Sequence, residues 1–182
     1  MNIRLIAGLY GGRIIEGSGT NRTHPMSERI RNSLFNIIGD ELNGAIVLDA
    51  FAGSGSLGLE ALSRGAKKVV FIEKDRIAQK VINNNLKKLG IDESKAQLIK
   101  APVNKVASTI EAKFDIIFAD PPFHDPQFST VEKLFSLLKP NGLMVLSYAG
   151  KAEVPTGTEV VVVDNRSYGN AALVFYRRRG AR

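Results

Sequence analysis

The stretch Ile46-Val47-Leu48-Asp49-Ala50-Phe51-Ala52-Gly53-Ser54-Gly55-Ser56-Leu57-Gly58 leaves a chain few ways to fold. An apolar run with β-branched residues ends in a carboxylate, three glycines follow, and Leu57, Leu59, Ala61 and Leu62 then read as a helix closed by Gly65. That order is a strand, a tight turn and a helix N-terminus. Glycines let the backbone pass close to a ligand, and the free N–H groups of the first helical turn face whatever binds there. A polar small molecule is expected at this turn. An ordinary glycine-rich turn between strand and helix carries the same pattern, so the reading depends on what the rest of the chain adds.

Taken in order, residues 3–7 and 13–16 are expected to pair as a hairpin through a glycine-rich turn, with 17–25 as loop. Arg4, Arg13, Arg22, Arg29 and Arg31 fall in or just after this segment, which reads as a basic arm (residues 1–24) appended to a catalytic core (25–182). A phosphate-contacting arm and a solubilising extension both fit it. Ser27 is placed to cap a helix that carries Ile30, Leu34, Ile37 and Ile38 on one face. Residues 68–73 form an apolar run ending in Glu73, and Asp75 caps a periodic helix that Gly90 stops. Strands are expected at 96–100, 114–119 and 143–147, with helices around 104–111 and from Phe128 to Leu138, the latter ended by Pro140-Asn141-Gly142. Strands at 159–164 and 171–178, joined by a turn over 165–170, close the chain as an antiparallel hairpin. The sum is one α/β domain: a Rossmann-like, mostly parallel sheet of seven strands with helices on both faces, an antiparallel C-terminal strand and a short N-terminal hairpin.

Composition narrows the setting. A chain of 182 residues suits one domain with a full core. There are no cysteines, which excludes disulfides and cysteine-ligated metal, and two histidines are too few for a convincing metal cage. No apolar run has membrane-span length and no signal-peptide pattern opens the chain, so a cytoplasmic, membrane-free protein is expected. It is also expected to be a monomer. Lys and Arg number 25 against 18 acids, a net charge of +7 that permits a polyanionic partner.

Gly53-x-Gly55-x-x-Gly58 with Glu73 satisfies the dinucleotide fingerprint, which keeps an NAD- or flavin-dependent oxidoreductase in view. Asp49 argues otherwise. A carboxylate just before the glycines would repel a pyrophosphate but suits a ligand bearing an ammonium and a sulfonium, as S-adenosylmethionine does. Glu73, at the end of the second core strand, can accept hydrogen bonds from a ribose. The second feature is Asp120-Pro121-Pro122-Phe123, at the end of the fourth core strand and across the point where strand order reverses. An exocyclic amine on a nucleobase is a poor nucleophile because its lone pair is delocalised. An Asp120 oxygen and the Pro121 carbonyl could accept both amine N–H bonds and aim the lone pair at a methyl group, while the prolines hold those carbonyls rigidly. Phe123 offers a flat face for an extruded base.

Residues 48–65, with Asp120-Pro121-Pro122-Phe123, closely resemble the class I S-adenosylmethionine-dependent amino-methyltransferases. Arg4-Leu5-Ile6-Ala7-Gly8, Gly12-Arg13 and His24-Pro25-Met26-Ser27-Glu28-Arg29-Ile30-Arg31-Asn32 resemble, more narrowly, the RsmD family of bacterial ribosomal RNA guanine-N2 methyltransferases, and the likeness covers almost the whole chain. The resemblance implies methylation of one guanine amine in small-subunit ribosomal RNA, free or in the assembled subunit. It implies that Asp49, Phe51, Ala52, Gly53, Ser54, Gly55 and Gly58 hold the methionine part of the cofactor, and that Glu73 and Lys74 border its ribose. Asp120, Pro121 and Phe123 would be catalytic, and Pro122, Arg13, His24, Arg29 and Arg31 would border the RNA. Relatives place Asn or Asp and a small residue where the adenine amine binds; this chain has Pro102-Val103, which leaves backbone groups or Asn104 for that role. DNA amino-methylation uses the same Asp-Pro-Pro-Phe geometry, although a chain this compact has little room for reading a duplex. A non-catalytic RNA-binding protein on the same fold is the remaining alternative.

Overall fold

A computed structural model describes residues 1–19 and 25–180. Arg22, His24 and Arg182 therefore lie outside the described residues. The central sheet has seven strands: β3 (Ile46–Asp49), β4 (Lys68–Ile72), β5 (Ala96–Ile99), β6 (Phe114–Ala119), β7 (Leu138–Ala149), β8 (Val160–Tyr168) and β9 (Ala171–Arg178), in the order β5-β4-β3-β6-β7-β9-β8. β3 pairs in parallel with both β4 and β6, and β9 is antiparallel to its two neighbours. Successive strands run outward from β3 in one direction and then, from β6, in the other. Ligand crevices in open α/β sheets form at the carboxyl ends of the strands where this reversal occurs.

Both sheet faces are covered, which explains why the inner strands are apolar throughout rather than alternating. Val47, Val69, Phe71, Ile116, Phe118, Val145 and Phe175 point into one core, beneath α1 (Glu28–Ile38), α2 (Ser56–Ser63) and α3 (Arg76–Leu89). Their neighbours Leu48, Val70, Ile117, Met144, Leu146 and Val174 point into the other, against α4 (Val103–Thr109) and α5 (Phe128–Leu134). The caps are those the sequence predicts. Ser27 Oγ accepts from Ile30 N at 3.2 Å, Asp75 accepts from Ala78 N at 2.9 Å, and Gly90 closes α3 in the left-handed region. Among the described residues no helix is long and apolar enough to cross a membrane.

The N-terminal hairpin differs from expectation. Its strands are shorter, β1 (Asn2–Arg4) and β2 (Ile14–Glu16), and they are no loose appendage: Ile3, Leu5 and Ile15 are buried in the first core. Buried polar side chains on α2 and α3 take up the backbone of this arm. The Glu60 carboxylate accepts from Ile6 N and Ala7 N at 2.9 and 3.2 Å, and Ser63 Oγ accepts from Tyr10 N at 2.9 Å. Asn85, fully buried, accepts from Glu16 N at 2.8 Å and donates to the carbonyls of Glu16 and Ser54. Leu5 still exchanges backbone hydrogen bonds with Arg13 and Gly12, and beyond it pairing stops because the amides of Ile6 and Ala7 have turned to Glu60.

Other boundaries also shift. The C-terminal turn is only Gly169-Asn170, because 165–168 continue the ladder with β9. β7 starts at Leu138 rather than Leu143, with a register shift opposite Phe114 and Ile116 that absorbs Pro140-Asn141-Gly142. α5 accordingly ends at Leu134, and a single 3₁₀ turn leads into β7.

Candidate active site

A cleft of about 800 Å³ opens at the carboxyl ends of the inner strands, within the usual range for small-molecule sites. The loop after β3 and the loop after β6 both line it. Phe51, Ala52, Gly53 and Ser54 come from the first loop, and Asp120, Pro121, Pro122 and Phe123 from the second. Glu73 and Lys74 follow β4, Asn104 lies in the first turn of α4, and Pro25, Met26, Ser27 and Ile30 bring in the start of α1.

Asp49, Gly55 and Gly58 are not among the residues that line the cleft. They work beneath it. Asp49 is 1% exposed and accepts from Gly58 N at 3.0 Å, so it fixes the first turn of α2 rather than facing solvent. A Cβ on Gly58 would overlap the Phe71 ring, so this glycine serves helix-on-strand packing. Glu73 ties two loops together, accepting from Gly53 N at 2.7 Å and from Asp75 N at 2.8 Å.

Glu73 and Asp120 in the lining and Asp49 beneath it thus bring three carboxylates to one cleft, and among the described residues none of the three is ion-paired with a lysine or arginine. Burial pushes Asp49 up to about 7; the Gly58 amide opposes this, while the charges of Asp120 and Glu73 reinforce it. Burial likewise raises Asp120 to about 6, with the Ser147 hydroxyl beside it pulling the other way. Burial also raises Glu73, against the opposing pull of the amides of Asp75 and Gly53. Such a site favours a cation and disfavours a phosphate. Phe123 is 49% exposed, a large apolar face left open at the mouth. Gln127, on the same loop, holds a left-handed φ of 46°, a costly conformation for a residue with a Cβ.

The arginines expected at the RNA separate. Arg29 is exposed in the first turn of α1, adjacent in sequence to the cleft-lining Ile30. Arg31 is only 1% exposed and donates to the Arg4 carbonyl at 2.5 Å; the expectation that it touches phosphate is corrected, since its guanidinium joins α1 to the hairpin. Arg13 donates to the Lys88 carbonyl at 3.0 Å, at the far end of α3. The cleft meets α3 at Asp75, thirteen residues away, which is roughly 20 Å along a helix. Arg13 is therefore not brought to the mouth. Sequence reasoning missed Ser147, Thr130 and Gln127 as lining residues, because strand register and loop course bring them in and neither leaves a local signal.

The family described as Conserved hypothetical protein 95 matches residues 3–177. Ribosomal RNA small subunit methyltransferase D of Haemophilus influenzae is 38% identical over 189 residues, which cover 96% of this chain and 92% of that protein. The chain belongs to the RsmD family. A further RsmD-like relative, the putative rRNA methyltransferase YlbH of Bacillus subtilis, is 31% identical over 98% of this chain and 100% of its own length. The solved structure of the putative methyltransferase yhhF from Escherichia coli superposes with a TM-score of 0.86 at 29% identity, over 100% of both chains. The RsmD-family fold is thus a methyltransferase fold throughout, hairpin included.

Proposed function

We propose that this protein transfers the methyl group of S-adenosylmethionine to the exocyclic N2 amine of a guanine in small-subunit ribosomal RNA. The observation that carries the reading is that the glycine loop and Asp120-Pro121-Pro122-Phe123 line a single cleft, together with Glu73, whose carboxylate is not ion-paired among the described residues. The printed names of the Haemophilus and Escherichia relatives, ribosomal RNA small subunit methyltransferase D, support the substrate class. The residues present fit the cofactor: the unpaired acids suit its cationic groups, and Glu73 has a second lone pair on each oxygen for ribose hydroxyls. When bound, S-adenosylmethionine supplies an electrophilic methyl on sulfur.

The chain supplies position and charge. Asp120 and the Pro121 carbonyl accept the two N–H bonds of the amine, drawing its lone pair out of the ring and toward the glycine-loop side. Phe123 stacks on the base and holds its plane. Pro122, bordering the same mouth, limits where the sugar can lie. After transfer the nitrogen carries an excess proton that leaves to Asp120 or to water, so no further base is required. Catalysis is mainly alignment of two reactants together with hydrogen bonds at the amine. Asp120 acts in its ionised form, so turnover rises with pH through the region near 6.

The test is a labelled-methyl assay run in parallel on naked ribosomal RNA, assembled small subunits and duplex DNA, with nucleoside digestion to locate the label. Label on guanine N2 in RNA or subunits is the expected result. Label on DNA amines alone, or calorimetric binding of NAD with no binding of S-adenosylmethionine, would overturn the reading. The same protein is expected to act as a monomer, readable by light scattering.

A further inference from the structure

We infer that Ser147 is a positioning residue for Asp120, holding one carboxylate oxygen so that the other is presented to the target amine. The inference rests on the methyl-transfer reading of the cleft. β6 and β7 run in parallel with Ala119 opposite Leu146, so the next residues out, Asp120 and Ser147, emerge side by side at the carboxyl rim. Ser147 is 6% exposed and lines the cleft together with Asp120, so its hydroxyl is placed beside that carboxylate. On its other side β7 is locked to β9, with Ser147 opposite the buried Leu173, so that flank is apolar.

The chemistry needs such a partner. A free carboxylate rotates between two equivalent oxygens, and an acid buried beside other acids tends to keep its proton; a protonated Asp120 could no longer accept from the amine with both oxygens. A hydroxyl donating to one oxygen removes both difficulties, because it stabilises the ionised form and leaves the second oxygen aimed into the cleft. The other ionisable groups around the cleft are Asp49 on β3, Glu73, Lys74 and Asp75 after β4, and His124 and Asp125 on the Asp120 loop itself. The entry to α1 contributes Pro25, Met26 and Ser27 to the lining and α1 itself Ile30, none of them ionisable.

The experiment compares wild type with Ser147→Ala and Ser147→Cys, the latter nearly isosteric but a weak donor. The Asp120 carboxyl is followed by NMR in protein carrying carboxyl-¹³C aspartate, with Asp120→Asn to assign its signal, and the pH profile of kcat is measured on the best RNA substrate. Both variants are expected to titrate Asp120 higher than wild type, by about one unit. The acid limb of kcat moves by the same amount, with KM and calorimetric cofactor affinity within about twofold of wild type. An Asp120 titration unchanged in both variants, or a uniform loss of kcat with a fixed acid limb, would overturn the inference. If wild type methylates nothing, the functional reading fails, yet the NMR titration still decides whether Ser147 governs Asp120.

Discussion

Asp120 and Glu73 sit on opposite sides of one cleft, and their substitutions should fail in opposite ways. Asp120→Ala is expected to cut kcat by 100-fold or more, about 3 kcal/mol of transition-state stabilisation, while cofactor affinity by calorimetry stays within about threefold. Glu73→Gln should instead weaken cofactor binding by about tenfold or more, the scale of a lost charge-assisted hydrogen bond, and also loosen the Gly53 amide it now holds. Asp49 carries a pH signature of its own. Its folded carboxyl titrates at about 7 against an ordinary 3.8, so between those values the folded state holds more protons than the unfolded chain. Stability of the ligand-free protein therefore falls as pH rises through that window. Asp49→Asn, which can still accept from Gly58, should flatten the decline and raise the melting temperature at pH 8, as calorimetry across pH 5 to 8 would read.

Elements meet here through a few buried polar side chains, and these were the part least visible beforehand. Helix caps at Ser27 and Asp75, the closing Gly90 and the glycine turn are local patterns, and they were legible because cap and capped amide lie within a few residues. Glu60 and Asn85 were not, since their partners lie 53 to 69 residues away. Nothing in the periodicity of α2 or α3 separates an acid that accepts a distant backbone from one facing water. Arg31 shows the same thing: its charge suggested RNA, and only the packing of α1 against the hairpin reveals it as interior. Glu60→Ala, which orphans the amides of Ile6 and Ala7 and leaves Arg64 unpaired, should cost about 3 kcal/mol in urea unfolding. Gly58→Ala should cost about 1 to 3 kcal/mol through its clash with Phe71, although alanine is the better helix former.

For the whole molecule, a mostly parallel sheet followed from alternating strand and helix patterns, and the cleft from the rule that such sheets bind ligands where their order reverses; the seat of β9 between β7 and β8 did not follow. Which arginines face outward did not follow. A net charge of +7 describes a sum and not a surface, and it conceals that Arg31 is internal while Arg29 is exposed beside the mouth. Arg29→Glu is expected to weaken RNA binding severalfold in low salt, with the difference shrinking as salt is added and the melting temperature moving by no more than about 2 °C. Arg31→Ala should do the reverse, lowering the melting temperature by about 5 °C or more with no comparable change in salt dependence. Filter binding across a salt series, beside thermal melts, reads both.

Strand β9 lies between β7 and β8 although it follows β8 in the chain. During synthesis β8 consequently emerges with no neighbour to join, and β7 keeps a bare flank until residues 171–178 have left the ribosome. A half-made copy would expose an apolar ladder to other nascent chains, and losing those eight residues would unseat two strands at once.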